Sequence, residues 1–213
     1  MELALSFLST LTYWALTIYE WIVIIAILLS WVNPDPRNPI VVFLNNMTIP
    51  FWNWLRAYLP SRIRLFAPYV SLLVIWFLKI FLPGTLQSMS DFFAERADAM
   101  SFGVQVLGYF FLGLGIVLQN FLFFLMMLLV VWFFLTLVSP AVNNPIVRTI
   151  YFLVDPFITP VQRRLPRMRV DVSPLIVAGI FFAISIFGVA SLIAYASGLT
   201  AYGVLMPLPG ETY

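Results

Sequence analysis

The sequence predicts an all-α membrane protein made of two tandem repeats, and three observations lead to this fold class. The 213-residue chain is 62% hydrophobic and only 9% charged, whereas an average soluble domain is about 25% charged. Residues 33–70 recur without a gap as residues 139–176, with ten identities. Five of these identities are prolines, which fix φ and remove a backbone donor. Prolines in register therefore indicate that one chain path is built twice.

Four apolar segments are long enough to cross a bilayer, which takes about 20 helical residues. They are predicted at about 13–32, 66–82, 120–138 and 174–195. Glu20 interrupts the first segment, and Lys79 lies near the end of the second, where its amine could reach the interface. A fifth apolar segment, 102–118, precedes the third span almost directly.

The charged residues predict how the loops are oriented. Nine of the eleven Lys and Arg residues lie in two repeated loops, 33–65 and 139–173, whereas the linker between the repeats is mainly acidic. Because cytoplasmic loops collect Lys and Arg, both loops are expected in the cytoplasm and the linker outside. The two loops must then be separated by an even number of crossings. Segment 102–118 is therefore expected to be an interfacial or re-entrant helix, or an extension of the third span.

These observations divide the chain into four parts. The predicted parts are repeat 1 at 1–83, a linker at 84–119, repeat 2 at 120–198 and a C-terminal tail at 199–213. Both repeats should have the same orientation, and no proline is expected midway through a span. This disfavours a transporter with inverted repeats and broken helices.

The amino acids that are missing exclude several kinds of chemistry. The chain has no cysteine and no histidine. Without cysteine, disulfides and thiolate metal sites are impossible. Without histidine, the chain lacks the commonest general base, the commonest metal ligand and the usual axial ligand of haem. We therefore expect no enzyme activity, no cofactor and no metal site, since the nucleophile–base arrangements of hydrolases are nearly excluded.

Helix starts are predicted at matching places in the two loops. Asn38-Pro39 and Asn144-Pro145 suit a helix start, because Asn accepts from an orphan amide and proline needs no partner there. Asp155-Pro156 and Ser173-Pro174 repeat the pattern. Capping explains Asn144, Asp155 and Ser173, and a polar site at the cytoplasmic face is the alternative.

Several of these residues carry a family resemblance. The stretches 29–31 and 38–41, and then 144–148, 155–157, 163–166 and 171–174, resemble the YggT (YlmG) family of membrane proteins. The matching motif residues are Asn38, Pro39, Pro50, Pro60, Asn144, Pro145, Asp155, Pro156, Pro166, Asp171, Ser173 and Pro174. Two positions depart from the family pattern. Ala26 stands where an arginine is often found, and Leu65 stands opposite Asp171.

The resemblance implies a general role and a location. Family members are associated with tolerance of osmotic or ionic stress, with bacterial cell division and nucleoid distribution, and in plastids with assembly of a b-type cytochrome. No catalytic residues are established for the family. The resemblance implies a multi-pass protein of the bacterial plasma (inner) membrane.

The arginines of the two loops are candidates for binding anionic lipid headgroups or an acidic protein partner. The candidates are Arg56, Arg62, Arg64, Arg148, Arg163, Arg164, Arg167 and Arg169. Between Pro156 and Pro166, apolar residues at helical spacing beside Arg163 and Arg164 predict a short basic helix along the headgroups. The alternative for these arginines is a plain topology signal. Asp171 could pair with Arg167 or Arg169.

Glu20 and Lys79 are the ionisable residues predicted within spans, and such residues are functional candidates by default. At 1.5 Å per residue, both lie in the outer half of repeat 1. We expect an intramembrane ion pair that locks the two helices together, with a cation or proton site at Glu20 as the alternative.

The predicted function is that of a non-enzymatic scaffold, assembly or osmotic and ionic stress factor, acting through its basic cytoplasmic loops. A small channel or carrier for potassium ions or protons is the alternative. The expected partners are the lipid bilayer with its anionic headgroups and an unidentified protein. No nucleic acid is expected, and association into a homo-oligomer stays open.

Overall fold

The computed structural model of this chain describes residues 1–32, 34–138, 144–164 and 171–202. Within these residues the regular structure is helical. The helices are α1 (Glu2–Val32), α2 (Pro39–Tyr58), α3 (Ala67–Phe93), α4 (Ala99–Val138), α5 (Pro145–Gln162), α6 (Ser173–Ile184) and α7 (Ala190–Thr200). A 3₁₀ turn, Arg64–Phe66, precedes α3, and a π-helical turn, Ser185–Val189, joins α6 to α7.

Four helical segments are long and apolar enough to span a membrane, which confirms the predicted fold class. They are Glu2–Val32, Arg64–Phe93, Ala99–Leu137 and Ser173–Thr200. Each is longer than the predicted span. In particular, α3 continues past the predicted end at residue 82 to Phe93, and Pro83 therefore lies inside this helix. The helix continues there because proline removes only its own backbone donor.

Segment 102–118 belongs to a single long helix. In place of a separate interfacial or re-entrant helix, α4 runs unbroken over 40 residues, or about 60 Å. The third alternative, an extension of the third span, matches the structure. The linker is correspondingly short, since only residues 94–98 separate α3 from α4.

The short linker turns the chain sharply. Glu95 has a φ of 59°, the left-handed conformation that usually follows a helix end. The amides of Glu95 and Arg96 donate to the carbonyls of Phe92 and Asp91 at 3.2 and 3.0 Å. This hydrogen-bond pattern is a Schellman motif, and it reverses the chain so that α4 packs antiparallel to α3.

The spans lie side by side in chain order. The extensive contacts between spans are those of α1 with α3, α3 with α4, and α4 with α6 and α7. Glycines allow the backbones to approach closely. A Cβ on Gly108 of α4 would lie 2.7 Å from the Thr200 amide nitrogen, and one on Gly84 of α3 would lie 2.2 Å from the Tyr109 ring.

The antiparallel order brings both repeated loops to one end of the molecule. There the amphipathic helices α2 and α5 pack against the spans of their own repeats. The two repeats also meet at this end, since Phe66 stacks on Phe152 with ring centroids 5.6 Å apart. Trp31 of α1 packs against the apolar clusters of both repeats.

Candidate functional site

Two equivalent asparagines start the amphipathic helices. Asn38 Oδ1 accepts a hydrogen bond from the Ile40 amide, and Asn144 Oδ1 accepts one from the Ile146 amide, both at 2.9 Å. A proline follows each asparagine at the first helical position. The side chains of Asn38 and Asn144 are therefore helix caps, which start α2 and α5 at the same place in each repeat.

Of the remaining predicted helix starts, the one at Ser173-Pro174 matches the start of α6, whereas the one at Asp155-Pro156 does not match the structure. Asp155 does not begin a helix, because α5 already starts at Pro145 and continues through Pro156 and Pro160 to Gln162. Instead, Asp155 accepts a hydrogen bond from Thr159 Oγ1 at 2.7 Å. Its hydrogen bond with the Tyr151 hydroxyl, and then its negative charge, raise the pKa of Tyr151. The prediction of a separate short helix from Pro156 was thus wrong.

Asp171, and not Ser173, holds the start of α6. Ser173 is the first residue of α6, and the N-cap residue Val172 makes no side-chain capping hydrogen bond. Asp171 Oδ1 accepts from the Ser173 amide at 3.0 Å, while Asp171 Oδ2 accepts from Gln162 Nε2 at 2.5 Å. Burial raises the pKa of Asp171, but the hydrogen bonds from Ser173 and Gln162 outweigh it and leave that pKa lowered. Asp171 therefore ties the end of α5 to the start of the last span.

The other family-motif prolines take several positions. Pro50 lies inside α2, Pro60 follows that helix, and Pro174 is buried in the first turn of α6. Pro166 lies outside the described residues.

The described loop arginines are all at the end of the molecule that carries α2 and α5. Arg62, Arg64, Arg148, Arg163 and Arg164 are exposed, whereas Arg56 is half-buried and donates to Asn53 Oδ1 at 3.2 Å. The two ion pairs among the described residues involve other side chains. Arg167 and Arg169, and with them their pairing with Asp171, lie outside the described residues.

Glu20 and Lys79 meet between α1 and α3. Lys79 Nζ forms an ion pair with Glu20 Oε2. The other carboxylate oxygen, Glu20 Oε1, accepts a hydrogen bond from Trp76 Nε1 at 2.8 Å. Lys79 Nζ also lies 5.9 Å from the centroid of the Tyr13 ring. The two charges are thus part of a four-residue cluster within the spans.

The family comparison agrees with this twofold architecture. The model of the CCB3/YggT family matches residues 5–86 and, a second time, residues 111–192. The second match begins and ends 106 residues after the first, and the same offset separates the paired prolines. The chain belongs to the CCB3/YggT family. No curated protein and no solved structure matches it.

The second family match begins ahead of the predicted start of repeat 2. In this CCB3/YggT chain the second copy is recognisable from residue 111, inside α4 and ahead of the predicted start at residue 120. The first turns of α4, from Ala99, precede the repeated unit. They pack against the end of α7, where Gln105 Nε2 donates to the Tyr202 carbonyl at 3.0 Å.

The second copy has a different polar contact at the depth of the Glu20–Lys79 pair. Gln119 and Ser185 are equivalent to Tyr13 and Lys79 of the first copy at the 106-residue offset. Gln119 Nε2 donates to Ser185 Oγ at 2.8 Å. Both repeats of this CCB3/YggT protein therefore join their two spans by polar side chains at one level, and only repeat 1 uses charges.

The second spans are also irregular at this level in both repeats. Pro83 cannot donate to the Lys79 carbonyl, which is the normal acceptor four residues before it. At the equivalent place in repeat 2, the Ser185 carbonyl accepts from the Ala190 amide five residues later, which makes the π-helical turn. The carbonyls of Lys79 and Ser185, which occupy matching positions in the two second spans, thus both lack the ordinary hydrogen bond from the amide four residues later.

Sequence analysis missed Trp76 and Gln119 as partners in these contacts. Trp76 lies three residues before Lys79, so both side chains project from the same face of α3. That spacing was a usable signal. The 106-residue offset makes Gln119 the counterpart of Tyr13. Gln119 could have been found in this way, because it is a polar residue opposite Ser185 in an otherwise apolar stretch.

Proposed function

We propose that this membrane protein is a non-enzymatic scaffold or assembly factor with a role in osmotic or ionic stress. Its arginine-bearing end would face the cytoplasm and bind anionic lipid headgroups together with an acidic protein partner. The observation that carries this proposal is the position of the loop arginines of both repeats at one end of the molecule, beside the amphipathic helices α2 and α5.

The electrostatics of this end support lipid binding. A basic side chain near an anionic membrane surface contributes about 1 kcal/mol, and clusters of four to eight are typical of recognition sites for anionic lipids. Six of the candidate arginines are described, and five are exposed without an ion pair to another described residue. Amphipathic helices add to the attraction by lying in the headgroup layer.

The rigidity of this end supports a scaffold. Asn38 and Asn144 fix the starts of α2 and α5, Asp171 fixes the exit of α5, and the Phe66–Phe152 contact joins the repeats. A surface assembled from two repeats in this way would present its arginines at defined positions. That property suits binding of a partner better than a loose basic tail does.

Lipid retention and cross-linking test the proposal. We expect Arg163→Gln/Arg164→Gln to retain less phosphatidylglycerol than the wild type after purification from mixed-lipid nanodiscs. The same variant should lose cross-links to cytoplasmic proteins in native membranes, identified by mass spectrometry. Arg96→Gln is the matched control, because Arg96 lies at the opposite end and pairs with Glu2 at 2.7 Å. Equal loss in both variants would contradict the proposal.

Ion conduction is the second candidate, and the intramembrane carboxylate of Glu20 favours it. Here Glu20 is occupied by Lys79 and Trp76, which suits a structural role better than an ion pathway. Potassium and proton flux into liposomes that contain the purified protein separates the two. Flux that disappears in Glu20→Gln would replace the scaffold by a channel or carrier.

A further inference from the structure

Repeat 1 contains an open cleft at the arginine-bearing end, where two equivalent positions of repeat 2 carry packed aromatic side chains. The cleft has a volume of about 330 Å³ and lies between the last turns of α1 and the first half of α2. Its walls are mostly apolar, with two polar side chains among them. The lining includes Ala26, Ser30, Val41, Leu44, Asn45 and Trp52.

Two substitutions between the repeats account for the cleft. At the 106-residue offset, Ala26 corresponds to Trp132 and Asn45 corresponds to Tyr151. In repeat 2 these two rings pack together, with centroids 5.3 Å apart. The apolar side chains around the cleft are buried in the core of repeat 1, since Val23 is fully buried and Leu44 is 5% exposed. The cleft therefore arises from two small side chains at specific positions and not from loose packing overall.

The depth of the cleft indicates what can fill it. Ala26 lies six residues before the end of α1, which is about 9 Å along the helix axis. Amphipathic interfacial helices bury their apolar faces about 5–10 Å deep, at the boundary of headgroups and acyl chains. Apolar cavities are not stably filled by water. The bilayer supplies acyl chains at this depth, and a chain in the cleft would regain the dispersion contacts that an empty space forgoes.

The polar groups near the cleft suit a zwitterionic phospholipid. The Asn45 carboxamide makes no hydrogen bond to another described residue, so its N–H groups can donate to ester or phosphate oxygens. Two exposed residues of opposite charge, Asp35 and Arg37, flank the lining residue Pro36. Their charges cancel, which favours a headgroup with both an ammonium and a phosphate over an anionic one.

We propose that this cleft binds one molecule of a zwitterionic phospholipid such as phosphatidylethanolamine. One acyl chain lies between Ala26 and Trp52, and Asn45 donates to the polar backbone of the lipid. The site is separate from the arginines of the proposed function and serves repeat 1 alone.

Native mass spectrometry after purification from nanodiscs of equimolar phosphatidylethanolamine and phosphatidylglycerol tests the site. We expect one phosphatidylethanolamine to stay bound to each wild-type chain. Ala26→Trp/Asn45→Tyr, which copies repeat 2, should reduce that retention roughly tenfold, because the chain loses its space and its hydrogen-bond donor. Ala15→Trp is the matched control, since Ala15 is an exposed position of the same helix, and it should retain the lipid.

Three outcomes would overturn the proposal: no lipid retained by the wild type, equal retention by Ala26→Trp/Asn45→Tyr, or retention of phosphatidylglycerol alone. If the double variant does not fold, Asn45→Tyr alone is measured in the same way, since Asn45 is only half-buried. Arg163→Gln/Arg164→Gln should keep its phosphatidylethanolamine, so failure of the arginine surface and failure of the cleft give different results.

Discussion

Lys79 of α3 pairs with Glu20 of α1, and Trp76 donates a second hydrogen bond to the same carboxylate. Both charged side chains are largely buried, with 20% and 14% of their surfaces exposed. The two paired residues are 59 positions apart in the sequence. An ion pair of this kind satisfies two charges that a bilayer would otherwise disfavour strongly.

Removing one member of this pair should lower the free energy of unfolding more than removing both. Glu20→Gln and Lys79→Gln each leave one charge unpaired, so we expect each to lower the free energy of unfolding in micelles by roughly 2–3 kcal/mol. Glu20→Gln/Lys79→Gln should lose less stability than either single variant, because no charge is left alone. Unchanged stability of Glu20→Gln would show that the pair is not a lock.

The glycine contact between α4 and α7 gives a prediction with a control on the same helix. In Gly108→Ala the new Cβ would lie 2.7 Å from the Thr200 nitrogen, so the helices must separate at a cost of about 1–3 kcal/mol. A Cβ at Gly103 meets nothing within 4 Å. Gly103→Ala should therefore be neutral or stabilise α4 by up to about 1 kcal/mol. Thermal unfolding in detergent measures both, and similar losses in the two variants would contradict the close approach of α4 and α7 at Gly108.

Asp171 should make stability depend on pH in the acidic range. Its pKa is lowered in the folded protein, so its contribution is present above the unfolded pKa of about 3.9. That contribution is lost as the pH falls through the lower, folded value. We expect the wild type to be more stable than Asp171→Asn at pH 6, and this difference to shrink below about pH 4. Thermal unfolding of both proteins across this range is the measurement. A difference that stays constant with pH would show that the charge of Asp171 contributes nothing.

The orientation of the loops can be tested because the chain contains no cysteine. Ser61→Cys and Arg164→Cys place one thiol in each repeated loop, and Glu95→Cys places one in the linker. With intact cells and a membrane-impermeant maleimide, we expect labelling of the linker thiol only, as the positive-inside rule predicts. Labelling of one loop and not the other would overturn the parallel arrangement of the repeats.

The left-handed residue in the linker gives a prediction on backbone strain. Glu95 is exposed, and its φ of 59° is one that glycine adopts without a steric penalty. Glu95→Gly should therefore raise the free energy of unfolding, by up to about 1 kcal/mol. Ala94→Gly, at a residue with a negative φ of −86°, is the control and should lower the free energy of unfolding. Chemical unfolding in micelles compares the two, and a loss of stability in both would contradict the Schellman geometry.

The sequence carries much of the fold because its two strongest signals are local. Prolines in register identify the repeat, and apolar length identifies the spans. The path of 102–118 could not be predicted in the same way. Its side chains are apolar in nearly every direction, so periodicity carries no information on whether α4 is one helix or two. The predicted helix start at Asp155 was wrong for a related reason. An Asp-Pro pair suits a helix start, but α5 has already started at Pro145, so this pair lies inside the helix.

Side-chain partners were only partly predictable. Glu20 and Lys79 could be matched by depth, since each of the first two predicted spans has one charged residue and the two helices are neighbours. The role of Asp171 depends on how the end of α5 packs beside the start of α6, which no local pattern encodes. Finding the cleft required both the sequence and the structure. The 106-residue offset pairs Ala26 with Trp132, but only the packed rings of repeat 2 in the structure show how much space the smaller Ala26 leaves empty.

The irregular level shared by the two second spans has a mechanical consequence. A helix bends most easily where a main-chain hydrogen bond is missing or displaced. Pro83 and the turn Ser185–Val189 put such a point at the same height in each repeat. Each second span is therefore expected to bend more readily at this height than elsewhere along its length.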